Sequence, residues 1–107
     1  MAGSTKDQWQ GRSLEEIRQI LRQSMPELED RYKVKSLGIF GSYIRGEAKR
    51  SSDLDILVEF DQAPSLFAFI RMEDDLSDRL GIKVDLVMKK ALRHHIGRRI
   101  LEEVVPV

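Results

Sequence analysis

Hydrophobic positions along the chain follow two periods. Leu14, Ile17, Leu21, Met25 and Leu28 recur every three or four residues, the spacing of one face of an α-helix. Ser13 and Glu16 stand where each side chain can bond a free backbone N–H at the start of that helix. Pro26 interrupts the pattern. It has no N–H, so the helix is expected to end or kink there, leaving Leu28 to a separate turn. From Val34 to Phe40 the pattern changes. Leu37 and Ile39 share one face of a strand, and Val34, Gly38 and Phe40 the other. Apolar residues on both faces predict a central strand.

A second strand is predicted over Asp53 to Phe60. Leu54, Ile56, Val58 and Phe60 form an apolar face, while Asp53, Asp55, Leu57 and Glu59 form the other. After a turn at Asp61 to Pro64, a helix is predicted from Ser65 to Leu80. Its apolar stripe is Leu66, Phe69, Ile70, Leu76 and Leu80, its polar side Glu73, Asp74, Asp75 and Asp78, and its cap Gly81. Ile82 to Met88 reads as a third strand in the same phase as the second. Ile82, Val84, Leu86 and Met88 are apolar, and Asp85 faces the other way. A last helix is predicted over Leu92 to Val104, with Leu92, Ile96, Ile100 and Val104 every fourth residue. The order is α-β-short α-β-α-β-α: one α+β domain over residues 13–107, after a loose polar tail over 1–12.

Composition narrows the chemistry. At 107 residues the chain has the size of one domain. No apolar run approaches the length of a membrane span, and the polar N-terminus has no signal-like segment, so a cytoplasmic location is expected. There are no cysteines. Disulfides and thiolate metal sites are therefore excluded, which leaves oxygen and imidazole ligands suited to hard cations such as Mg²⁺. Lys plus Arg and Asp plus Glu number 18 each, so no general basic excess points to nucleic acid as a direct ligand. A basic stretch from Lys89 to Arg99 does remain. It includes His94 and His95, which lack the i,i+4 spacing of a helical zinc pair and read as surface or partner-facing.

Two segments carry chemistry. Gly41-Ser42 follows an apolar strand and precedes a helix start. Free N–H groups there can bond an anion, glycine allows close approach, and the Ser hydroxyl adds a donor. An ordinary strand-to-helix turn has the same appearance. Asp53 and Asp55 project to one face of a strand about 6.5 Å apart, and two carboxylates there repel unless a cation neutralises them. They can hold divalent ions of the kind that bridge triphosphate oxygens. If strands two and three are neighbours in register, Asp85 joins them as a metal ligand, a general base or both. The alternative for Asp85 is a salt bridge to Lys83 or Lys35. Arg45, one turn past Ser42, can reach a phosphate or an acceptor. Lys49 and Arg50 read as a solvated loop.

The combination is more specific than its parts. Gly41-Ser42, ten intervening residues, Asp53-Leu54-Asp55 opening an apolar strand, and a later strand with a lone Asp85 resemble the nucleotidyltransferase superfamily that includes DNA polymerase beta. Gly41-Ser42-Tyr43-Ile44-Arg45-Gly46-Glu47-Ala48 with Ser52-Asp53-Leu54-Asp55-Ile56-Leu57-Val58 resembles in particular the minimal nucleotidyltransferases (MNT) of bacteria and archaea. The resemblance covers nearly the whole chain after the tail.

It implies a small mixed sheet with helices packed on one face. It also implies that Gly41, Ser42 and Arg45 hold the triphosphate of ATP, that Asp53, Asp55 and Asp85 bind Mg²⁺ as a two-ion site, and that Asp85 serves as base. For Ser42 to meet Asp53, strands one and two must run antiparallel, and Asp85 requires strand three beside strand two. MNT proteins commonly pair with a small helical HEPN toxin, so the implied role is an antitoxin that transfers AMP to a tyrosine of that partner. Two alternatives are a binding module that neutralises its partner without catalysis and a small-molecule nucleotidyltransferase of the aminoglycoside type.

Overall fold

A computed structural model describes residues 12–92 and 94–107, without the side chains of 94–96. The expected tail lies outside the described residues apart from Arg12, as do the side chains of His94 and His95. Helix α1 spans Leu14–Tyr32. Glu16 N–H donates to Ser13 Oγ, and Ser13 N–H donates to Glu16 Oε1, both at 3.1 Å. The helix does not end at Pro26 but continues through it, against the expectation from sequence. An internal proline costs about 3 kcal/mol. The core burial of Leu28 and Tyr32 beyond it offsets that cost, since a fully buried large apolar side chain contributes about 1.5–3 kcal/mol.

Strands β1 (Val34–Phe40) and β2 (Leu54–Phe60) run antiparallel, and β3 (Val84–Met88) lies parallel to β2. The chain also forms a strand that periodicity did not reveal. Val105–Pro106, β4, pairs antiparallel with β1 and completes the order β3-β2-β1-β4. Proline tolerates this place because β4 is an edge strand. Val107 N–H donates to Leu37 O, and Arg18 and Arg22 bond the carbonyls of Pro106 and Val107.

Register explains a second correction. Val34 pairs with Phe60, but Ser36 pairs with Glu59, so β1 carries a one-residue bulge. The bulge turns Val34 onto the face of Leu37 and Ile39 rather than that of Gly38 and Phe40, because directly paired residues share a face. Leu37 pairs with Val58 and Ile39 with Ile56. These residues, with Leu54 of β2, form the core against α1 and against α3 (Leu66–Leu80).

Helix α3 turns Phe69, Leu76 and Leu80 of the expected stripe inward together with Met72, while Leu66 is 71% and Ile70 46% exposed, against expectation. At about 100° per residue, Ile70 falls a quarter-turn off the line through Phe69, Met72, Leu76 and Leu80. The polar side of α3 also bonds the sheet. Glu73 Oε2 accepts from Leu86 N–H at 2.8 Å, and Ser77 Oγ accepts from Val84 N–H at 2.9 Å. Those contacts cover the outer edge of β3.

A 3₁₀ turn at Lys89–Ala91 leads into α4, His94–Glu103. Unlike the two long helices, α4 lies over the opposite face of the sheet. Phe40 and Leu57 of that face are buried outside the main core. A side chain at Gly38, the partner of Leu57, would collide with Val104 just past α4. Among the described residues, no helix is long and apolar enough to cross a membrane.

Candidate active site

β1 ends at Phe40, and Gly41 turns the chain with φ 84° and ψ −153° into the four-residue helix α2, Ser42–Arg45. Only glycine adopts that backbone readily. Glycine is needed here for a second reason: a Cβ would strike the Asp55 carboxylate. The antiparallel register causes this closeness, since Phe40 pairs with Asp55. The Gly-Ser turn and the Asp-x-Asp strand therefore meet, as the sequence led us to expect.

Asp55 is also the partner of Asp85 across the parallel pair β2–β3. The shared phase of the two strands becomes shared position, and both carboxylates lie on the face away from the main core. Asp53 lies one residue before β2, where Leu54 N–H donates to Lys83 O. Burial, Asp85 and Asp53 together push the Asp55 carboxyl up to about 6, against a weaker opposing pull from Arg45. Lys35, one of the two ion-pair partners weighed for Asp85, lies instead 3.9 Å from Glu59.

Arg45 projects back from α2 and holds two carboxylates. Its Nε donates to Glu47 Oε1 at 2.9 Å and its Nη1 to Glu103 Oε1 at 2.8 Å. The other oxygen of Glu103 accepts from Gly41 N–H at 2.6 Å. That backbone bond and the Arg45 guanidinium hold the Glu103 carboxyl below its ordinary range. A cavity of about 290 Å³ opens here, lined by Phe40, Gly41, Arg45, Asp55, Arg99, Ile100 and Glu103. Glu103 and Arg99 were not found from the sequence. Glu103 is 62 residues from Gly41 and 58 from Arg45, and no local spacing signals such a contact. Lys49 and Arg50 are exposed in the loop before Asp53.

The carboxylates of Asp53, Asp55 and Asp85 are oxygen donors suited to a hard divalent cation, and a dication would relieve the burial and mutual repulsion that raise Asp55. Among the described residues, no three His, Cys, Asp or Glu side chains close into a metal cage. Mg²⁺ commonly binds through one or two carboxylates plus substrate phosphates rather than through an all-protein cage.

Comparison with known proteins agrees with this geometry. A sequence profile of the nucleotidyltransferase domain matches residues 14–107. The protein adenylyltransferase MntA of Thermococcus cleftensis is 52% identical over 95 residues, covering 89% of this chain and 96% of that protein. A solved structure proposed to be a minimal nucleotidyltransferase superposes with a TM-score of 0.75 at 32% identity, covering 92% of this chain and all of the other. A crystal structure of a toxin–antitoxin with AMP-PNP superposes with a TM-score of 0.66 at 25% identity, over 77% of this chain and 67% of that one. A profile that spans the described domain, and half-identity to a relative along nearly its whole length, show that this chain belongs to the nucleotidyltransferase domain family, among its minimal members.

Proposed function

We propose that the chain transfers the adenylyl group of ATP to a hydroxyl, a tyrosine, of a HEPN toxin, and so acts in the cytoplasm as the antitoxin of that pair. The observation that carries this is the placement of Asp55 opposite Asp85, against the backbone of Gly41. Phosphate-binding turn and carboxylate cluster are thereby contiguous. The half-identical MntA, named a protein adenylyltransferase, and the toxin–antitoxin structure with AMP-PNP support the choice of nucleotide and partner.

In this reading Gly41 N–H, Ser42 and Arg45 hold the triphosphate and fix the α-phosphorus. Asp53, Asp55 and Asp85 would hold Mg²⁺, which when bound neutralises the triphosphate and lowers the barrier to displacement. Asp85 is exposed on β3, where an acceptor supplied by another protein can reach it. The acceptor oxygen forms a bond to the α-phosphorus, the bond from that phosphorus to the β-bridging oxygen breaks, and pyrophosphate leaves. Asp85 takes the acceptor proton. Positioning and electrostatics supply most of the acceleration in such a transfer.

The direct test combines α-labelled ATP, Mg²⁺ and the HEPN partner. Label should appear on the partner and vanish with Asp53→Ala. Transfer that is absent, or indifferent to that substitution, overturns the reading. Neutralisation of the toxin by Asp55→Ala would favour binding alone as the antitoxin mechanism.

A further inference from the structure

Glu103 occupies the donors that a nucleotide's phosphates need. One of its oxygens accepts from Gly41 N–H at 2.6 Å and the other from Arg45 Nη1 at 2.8 Å. A carboxylate spanning a backbone N–H and a guanidinium satisfies the same charge-assisted bonds as two oxygens of a phosphate. The fold holds it in place: β4 begins two residues after Glu103 and pairs with β1, whose end leads into Gly41. The same cavity contains Arg99, one turn earlier on α4, and Asp55.

We propose that Glu103 is the internal competitor of the nucleotide's phosphates, and that it sets how tightly a polyphosphate binds. The proposal rests on the nucleotidyltransferase reading of the site. The single Gly41 N–H cannot serve two anions, so a polyphosphate that bonds it must displace the carboxylate. A tethered group competes at high effective concentration. Apparent affinity then falls by the fraction of molecules in which Glu103 has let go. Ligands whose phosphates reach Gly41 and Arg45 are affected, and a ligand without phosphates is not. Once Glu103 leaves, Arg45 Nη1 is open to the incoming phosphates while Nε stays on Glu47, and Arg99 lines the same cavity as a second cation.

The test is calorimetric titration of the whole chain with Mg²⁺-ATP, Mg²⁺-pyrophosphate and adenosine. Wild type is compared with Glu103→Ala and Glu103→Gln, and melting temperatures are recorded for each. Glu103→Ala should tighten ATP and pyrophosphate by about tenfold and leave adenosine unchanged. Glu103→Gln, neutral but still able to accept hydrogen bonds, should fall between. If Glu103 only braces α4 against α2, both variants bind ATP more weakly and melt earlier, which overturns the proposal. Unchanged ATP affinity in both variants, with wild-type binding intact, overturns it too and leaves the nucleotidyltransferase reading standing. Failure of wild type to bind ATP or pyrophosphate removes that reading and the competitor with it. Glu103→Gln retains the shape of the side chain, so it decides the matter should Glu103→Ala not fold.

Discussion

Asp75 and Asp55 are both half-buried aspartates, and the fold treats them in opposite ways. Asp75, on α3, receives Arg79 Nε at 2.7 Å and Tyr32 Oη at 3.2 Å, with Arg31 3.7 Å away. Arg79 also reaches Glu27 at 2.8 Å and Ser24 at 3.2 Å, tying α3 to α1. Its guanidinium holds the Asp75 carboxyl below the usual carboxylate range. Asp55 is raised to about 6 by its burial and by the two further carboxylates it faces. One cluster is neutralised by the chain itself and serves stability. The other keeps like charges together and reduces stability, in keeping with the proposal that an external cation and a phosphorylated ligand complete the site.

The sharpest way to break this contrast is to remove a carboxylate from the second cluster. Asp53→Ala should lower adenylyl transfer by at least about 100-fold while leaving the melting temperature unchanged or higher. Loss of folding together with activity would make Asp53 structural instead. Gly41→Ala should cost about 1–3 kcal/mol for its backbone conformation and also displace Asp55. A melting temperature lower by several degrees with activity lost is the expected pair of results, and wild-type activity would show that the turn and Asp55 are not in contact.

In the neutralised cluster, Arg79→Ala should destabilise by about 1–3 kcal/mol, read by urea denaturation, with kcat unaffected. The smallest effect is in pH dependence. Asp55 holds its proton in the folded chain up to about pH 6, whereas the unfolded chain loses it near about pH 4. The folded state binds more protons between these values, so this group makes stability fall as pH rises through that window, and the loss is complete above it. Asp75 has the opposite sign. Its lowered pKa contributes stability above the ordinary carboxylate range that is lost as pH falls through the depressed value. In thermal melts without metal, Asp55→Asn should flatten the decline between about pH 4 and 6 and raise stability at neutrality. Asp75→Asn should lower stability at neutrality. Parallel responses of the two variants would dissolve the distinction between the clusters.

Much of this was legible along the chain because it is local. The Ser13–Glu16 capping box, the alternation of β2 and the Gly81 cap involve residues a few positions apart, where periodicity and cap chemistry act directly. The Gly-Ser turn and Asp-x-Asp strand were legible for the same reason, and the matching phase of β2 and β3 indicated how Asp85 could join Asp55. Other features depended on what packed against them. The proline in α1 gave a correct local signal that core burial overrode. The bulge in β1 shows only in its pairing with β2. The Val105–Pro106 strand is too short to have a period and exists because β1 offers it an edge.

By itself the sequence supplied the residue types of the proposed chemistry: a glycine turn, three aspartates on or just before two strands of common phase, and no thiol. Hydrophobic alternation settled which side of the sheet Asp55 and Asp85 face. Only the tertiary structure decided what closes the site. Strand register put Asp55 against both Asp85 and Gly41, and the pairing of β4 with β1 brought Glu103 to the donors of Gly41 and Arg45. Contacts that span some sixty residues have no local signature, because chain folding rather than spacing sets their geometry.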